Sequence, residues 1–373
     1  MVRSYALVAA LASLASAFVP LDPQALTPNC RQFLIPISIN PMTYPLSQYI
    51  PATDFNLTNF ITELSSTPNN VTMGTATQNS AAVNISARLC FPTSTNYTTR
   101  QNSTVQFLIH GIGFDMGYWD ILEQPETYSY TRALNAAGYT TFAIDRLGVG
   151  NSSPGLDASN LKQTSAHIAV VNALTGQLRA GLIAGKAFAN VVHVGHSYGS
   201  IISNGLVGMS PNASNGLILT GYSSSAAAVP ATLAGWDLQI ASLNKPDRFG
   251  AGSNSPLPNG YLLTGTIRSN QQTFFKYPQF DPLLLEYSEA RKQPVTVGEL
   301  ITLAAGTVPT NFTGPVHVVT GANDFIFCGG DCTQPYQNYT SIPAAVKSLF
   351  PKASSFSVNL PTGTGHGRES IIL

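Results

Sequence analysis

Short apolar runs rich in β-branched residues recur along the chain, separated by helix-compatible or polar stretches. Eight of them predict strands, at Phe33 to Ile39, Val83 to Cys90, Val105 to Ile109, Thr140 to Asp145, Val191 to Val194, Leu217 to Thr220, Pro315 to Thr320 and Phe356 to Leu360. Helical patterning is predicted at Tyr128 to Ala137, Ser165 to Ala189, Ser200 to Met209 and Ala344 to Leu349. Strands that alternate with helices imply an α/β fold, a mostly parallel sheet covered by helices. The Ser/Thr/Asn-rich stretch from Ser65 to Ala82 has apolar runs on both sides and is expected to be a surface loop.

The alternation breaks after Gly221 and resumes at Asn311. Residues 222–310 are rich in aromatics, among them Trp236, Tyr261, Phe274, Phe275, Tyr277, Phe280 and Tyr287, set amid Pro and Asn. Connections over the carboxyl edge of a parallel sheet shape its ligand crevice, so an insertion here is expected to form a cap. Most of its aromatics are expected to form the cap's own small core. Phe274, Phe275 and Tyr277 are the first candidates to touch a ligand.

The amino terminus changes the domain picture. Met1-Val2-Arg3, an apolar run from Tyr5 to Leu14 and the small residues Ala15-Ser16-Ala17 form the pattern of a secretory signal cut after Ala17. That leaves a core of residues 18–221 and 311–373 around the cap, in a secreted, extracellular protein with no stable membrane anchor. Nine N-x-S/T sequons, at Asn56, Asn70, Asn84, Asn96, Asn102, Asn151, Asn212, Asn311 and Asn338, agree with a glycosylating pathway. Four cysteines allow three disulfide pairings. The favoured one closes the loop Cys328 to Cys332 and ties Cys30 to Cys90; the competing zinc site has a poor ligand set. With a net charge of zero and 10% charged residues, the chain lacks the basic balance of a nucleic-acid binder.

Candidate chemistry centres on Gly195-His196-Ser197-Tyr198-Gly199. A strand, then G-x-S-x-G, then a helix is the setting that exposes a serine nucleophile on a strained turn at the sheet edge. In a chain with 31 Gly the pentapeptide alone also arises by accident, so the surrounding motifs matter more. These are FLIHGIG (107–113), AIDRLGVGNSSP (143–154), VGHSYGS (194–200), VVTGAND (318–324) and GTGHG (363–367). Their order resembles the α/β-hydrolase superfamily, and more closely its secreted fungal serine-hydrolase members.

The serine needs a base. His366 is the candidate, because it follows the last strand in a Gly-rich loop. His193 and His317 fall inside strands, His167 on a helix, His196 within the elbow and His110 in an earlier loop. The base needs a carboxylate to orient it. Asp324, just after the penultimate strand, occupies the family's usual place, with Asp331 as the rival. The resemblance further implies an oxyanion hole built from the backbone N–H groups of Tyr198 and Ile112, and it gives Asp145 and Arg146 to a structural turn. One departure stands out: only seven residues follow His366, where the family carries a helix that braces the histidine loop.

The resulting expectation is a serine hydrolase that cleaves a small-molecule carboxylic ester or lactone through an acyl-enzyme, without organic cofactor or metal. An amidase or peptidase of the same fold is the alternative within the class. A non-catalytic ligand-binding homologue, or a lyase, is the alternative outside it.

Overall fold

The computed structural model describes residues 19–20, 29–66, 71–92 and 98–367. The expected signal segment, the sequons at Asn70 and Asn96, and the tail after Gly367 lie outside the described residues. Among the described residues nine strands form the main sheet: β1 (Val19–Pro20), β2 (Cys30–Ile39), β3 (Ala81–Cys90), β4 (Thr104–Ile109), β5 (Thr140–Ile144), β6 (Asn190–His196), β7 (Gly216–Thr220), β8 (Val316–Val319) and β9 (Phe356–Asn359). Their spatial order is 1-2-3-5-4-6-7-8-9. The eight expected strands are all present, and the two-residue β1 adds a ninth at the edge, antiparallel to β2. From β5 to β9 every neighbouring pair is parallel, while β2, β3 and β5 pair antiparallel.

The central strands β4 and β5 are buried at every position, which is why they appear in sequence as continuous apolar runs rather than alternating ones. Cys30 and Cys90 face each other across β2 and β3 and form a disulfide. Cys328 and Cys332 form the second.

Helices α2 (Tyr130–Ala136), α3 (Thr164–Arg179) and α4 (Tyr198–Met209) cover the sheet, while α1 (Asp54–Ser65) lies against the segment between β7 and β8. Three expected helices differ in extent. The pattern expected from Tyr128 is split, because Ser129 caps α2 by accepting the N–H of Arg132, leaving Pro125–Tyr128 as a separate turn. Helix α3 stops at Arg179 rather than continuing to Ala189, since Gly181 and Gly185 adopt positive φ and turn the chain. The stretch before β9 is a 3₁₀ run, Pro343–Leu349. Helix α1 lies where the sequence pattern predicts no element. Thr53 caps it, and Leu57 and Phe60 are its buried face. The expected loop that follows it contains a two-residue strand, Thr77–Gln78, paired with Met42–Thr43.

Between β7 and β8 the chain forms helices α5 (Val229–Trp236), α6 (Ile267–Phe274), α7 (Pro282–Arg291) and α8 (Val297–Thr302). A three-stranded antiparallel sheet, Gln239–Ile240, Tyr261–Leu263 and Val295–Thr296, joins them. Phe249, Leu257, Tyr261 and Leu263 make a small apolar cluster there, but of the aromatics expected to form the cap's own core only Tyr261 belongs to it; Trp236, Phe274 and Phe275 are buried in the main core instead. Helix α5 packs against α1.

Candidate active site

Strand β6 ends at His196 and α4 begins at Tyr198, leaving Ser197 as the hinge with φ 55° and ψ −117°. A non-glycine residue holds such a backbone only when its surroundings enforce it. Here Ser197 N–H donates to Thr220 O at 2.8 Å, tying the elbow to β7. The flanking glycines have a packing reason: a Cβ on Gly195 would collide with the backbone of Gly199 and Ser200, and one on Gly199 with the carbonyl of Ile109 at the end of β4.

Asp324 follows β8 after the short loop 320–323 and caps the turn Phe325–Cys328. Its Oδ1 accepts the N–H of Phe327 at 2.9 Å, and its Oδ2 accepts from His366 Nδ1 at 2.7 Å. Both side chains are fully buried. A carboxylate acceptor fixes the hydrogen of His366 on Nδ1, so Nε2 presents its lone pair. That buried Nε2 makes no hydrogen bond to any described residue, Ser197 included. Contacts of this kind often tighten only when a substrate is bound. The ring of His366 lies 5.0 Å from that of His196, 5.7 Å from Phe327 and 5.8 Å from Phe274, measured between centroids. Asp331 is occupied elsewhere: its carboxylate accepts from Thr333 and Gln334 and closes a turn.

The loop His110-Gly111-Ile112 lies against the serine. A Cβ on Gly111 would fall 2.8 Å from Ser197 Cβ, so only glycine leaves room. His110 Nδ1–H donates to Gly111 O at 2.8 Å, while its Nε2 accepts the backbone N–H of Arg146 at 2.9 Å. Those two bonds define a neutral tautomer, and burial followed by the nearby Arg146 charge pushes the imidazole well below its usual range. In a trans peptide the C=O and N–H point in opposite directions. With Gly111 O turned toward His110, the Ile112 N–H is directed the other way. Tyr198 is the first residue of α4, and its N–H has no acceptor within the helix.

A cavity of about 440 Å³ opens over Ser197, with Ile112 and Tyr198 beside it. Its walls are mainly apolar. Ile201, Leu300 and Leu303 line one part; Leu233 and Trp236 of α5 line another. Leu64, Ser65 and Ser66, at the end of α1, also border it. A polar cleft of about 520 Å³ near Arg88, Arg248 and Arg291 includes neither Ser197 nor His366.

A profile described as the Alpha/beta hydrolase family matches residues 107–368. The chain belongs to the alpha/beta hydrolase family. Among solved structures, an alpha/beta hydrolase fold protein from Chitinophaga pinensis is similar at 16% identity and a TM-score of 0.46, over 76% of this chain and 87% of that one. A thermophilic esterase from Thermogutta terrifontis has 14% identity and 0.46, over 76% and 87%. The monoacylglycerol lipase of Paleococcus ferrophilus has 15% identity and 0.45, over 70% and 85%. No curated protein matches.

Within this alpha/beta hydrolase, the residues expected to touch a ligand are placed differently from the expectation. None of Phe274, Phe275 and Tyr277 borders the cavity over Ser197. Phe274 is buried between Phe114, Trp236 and His366. Phe275 packs on Phe280, and Tyr277 is 71% exposed. The reason lies in α6, which turns its carboxyl end toward the histidine loop: Gly367 N–H donates to Phe274 O at 2.7 Å. The cavity residues that sequence reasoning missed include Leu64 on α1, Leu233 and Trp236 on α5 and Leu300 on α8. The alternation Leu57, Phe60, Ile61, Leu64 after Thr53 was the available signal for α1.

Proposed function

We propose that this protein is a secreted serine hydrolase acting on carboxylic esters with an extended apolar portion. The observation that carries the reading is the 2.7 Å bond from His366 Nδ1 to Asp324 Oδ2 beside a strained Ser197 at the base of an apolar cavity. Ser197 Oγ attacks the ester carbonyl while His366 Nε2 takes its proton, and Asp324 steadies the imidazolium. The N–H groups of Ile112 and Tyr198 receive the oxyanion. Collapse of the tetrahedral intermediate breaks the ester C–O bond, and His366 returns the proton to the departing alcohol. Water then attacks the acyl-enzyme by the same route, releasing the acid and restoring Ser197.

The mainly apolar walls carry no charged side chain to pair with a charged peptide, which favours an ester. Residues 222–310, with the end of α1, act as the cap that selects the substrate. Secretion is supported by two disulfides and by the exposure of all seven described sequon asparagines. Among the described residues no helix is long and apolar enough to cross a membrane.

A fluorophosphonate probe with peptide mapping, together with a series of p-nitrophenyl esters, tests the reading. Labelling at Ser197 and turnover that rises with acyl length are expected. A protein that binds esters but neither turns them over nor takes the probe would be a ligand-binding homologue instead.

A further inference from the structure

The turn Asp145 to Ser152 is complete without the side chain of Arg146. Asp145 accepts the N–H groups of Met116 and Asn151, Ser152 Oγ donates to Asp145 O, and Gly148 N–H donates to Ser152 O. The guanidinium instead runs inward and is almost fully buried. There it pairs with Glu299 on α8. Its Nη2 donates to Gly111 O at 3.4 Å, and its central carbon sits 4.7 Å from the centroid of the Tyr198 ring. The same ring is held by a 2.9 Å hydrogen bond between its hydroxyl and Thr164 Oγ1, and by the edge of His167. One side chain therefore touches both residues that set the two oxyanion donors: the peptide that aims Ile112 N–H, and the residue that supplies Tyr198 N–H.

Glu299 is also constrained. Its Oε2 accepts the N–H and hydroxyl of Thr296, capping α8, and Lys162 Nζ lies 3.6 Å from it. His167 Nε2 lies 2.8 Å from Oε1. Arg146 stays charged, while burial lowers Lys162 to about 8, so below that pH two cations face one carboxylate and leave surplus positive charge beside the two donors. In a buried setting such charge acts over several ångströms.

We propose that Arg146 is a positioning residue for the oxyanion hole, fixing the Gly111–Ile112 peptide and Tyr198 in one geometry and itself aligned by Glu299 of the segment between β7 and β8. The proposal rests on the serine-hydrolase reading of Ser197. It predicts a defect confined to the transition state, because the donors bind charge that exists only there.

The test compares wild type with Arg146→Lys and Arg146→Gln, each normalised to active sites titrated with fluorophosphonate. Lysine keeps the charge and loses the planar fork. For a short p-nitrophenyl ester, Arg146→Lys is expected to lower kcat about 10- to 100-fold, less than the loss of a donor itself, with KM changed less than about threefold. Affinity for an alkyl boronic acid, which forms a tetrahedral anion on the serine, should fall in parallel with kcat. Arg146→Gln should be worse on both measures. Arg146→Lys with kcat within about threefold of wild type overturns the proposal, as does a loss of kcat with unchanged boronate affinity. Collapse of both variants, seen as lost near-ultraviolet dichroism, assigns Arg146 to the fold and overturns it too. A wild-type protein without turnover or labelling sinks the hydrolase reading itself, before any variant is compared.

Discussion

The backbone N–H of Gly367 donates to the carbonyl of Phe274 at 2.7 Å, so the segment between β7 and β8 grips the loop that carries His366. Gly365 lies close to the same stretch, where a Cβ would meet Phe274 O at 2.8 Å and Lys276 N at 2.9 Å. Helix α6 thereby braces the histidine loop from the segment between β7 and β8. Phe274→Ala should therefore loosen His366 rather than reshape the ligand cavity. A stability loss of about 3 kcal/mol or more is expected from removing a buried phenylalanine. kcat should fall with it, while the ranking of esters by acyl length stays as in wild type. A changed ranking in the folded variant would return Phe274 to the ligand wall.

Leu233→Ala is the complementary variant. Leu233 borders the cavity over Ser197 and also the groove between α1 and α5, which includes Ile61 and Pro230. An apolar tail buried there contributes about 0.8 kcal/mol per methylene. The alanine variant should shift kcat/KM toward longer or bulkier acyl groups and leave acetate esters nearly unaffected. An identical chain-length profile would put the tail elsewhere.

Replacing Ser197 or His366 by alanine should lower turnover by roughly four to six orders of magnitude, and the double variant should be scarcely worse than either, because triad members act as a unit. A single variant retaining a tenth of wild-type activity would contradict this.

The two aspartates should separate cleanly. Asp324→Asn removes the acceptor that sets the His366 tautomer and should slow the reaction by about a thousandfold or more. Asp331→Asn alters only an exposed turn and should stay within about twofold of wild type, as expected for a surface change. The reverse pattern would move the acid into the cysteine loop.

Three imidazoles make the fold acid-labile. Burial pushes His167 down to about 4 and His193 to about 3, and holds His110 well below the usual range. Because their folded values lie below the unfolded one, the unfolded chain binds more protons, and stability is lost as pH falls below about 6.5. Asp145 works the other way: burial and then Asp115 raise its carboxyl, which favours the folded state toward acid. The balance is a loss of roughly 2 kcal/mol per pH unit between about pH 6 and 5. Urea midpoints at pH 7.5, 6 and 5 measure it; constant midpoints would show that these histidines are not buried neutral.

What the sequence displayed well was whatever depends on neighbours along the chain. Buried parallel strands are continuous apolar runs, as in Thr104–Ile109, and the elbow glycines announce a close approach that only glycine permits. The meeting of Asp324 with His366 was legible because the order of strands places both at one sheet edge. The direction in which α6 presents Phe274, Phe275 and Tyr277 was not, since composition does not say which side of a helix end meets which loop. Arg146 was hidden for the same reason: its neighbours belong to a turn, while its partners Glu299 and Tyr198 are brought to it by the fold.

The family match starts at Phe107, whereas the part of the cavity wall supplied by α1 ends at Ser66. Part of the cavity wall is thus encoded upstream of the matched segment. Mutations there can retune ligand choice without touching the reaction centre, so two relatives with matching motifs can diverge in diet through a stretch that motif comparison never reads. Grafting residues 54–66 between such relatives is a route to altered selectivity that leaves Ser197, Asp324 and His366 in their native setting.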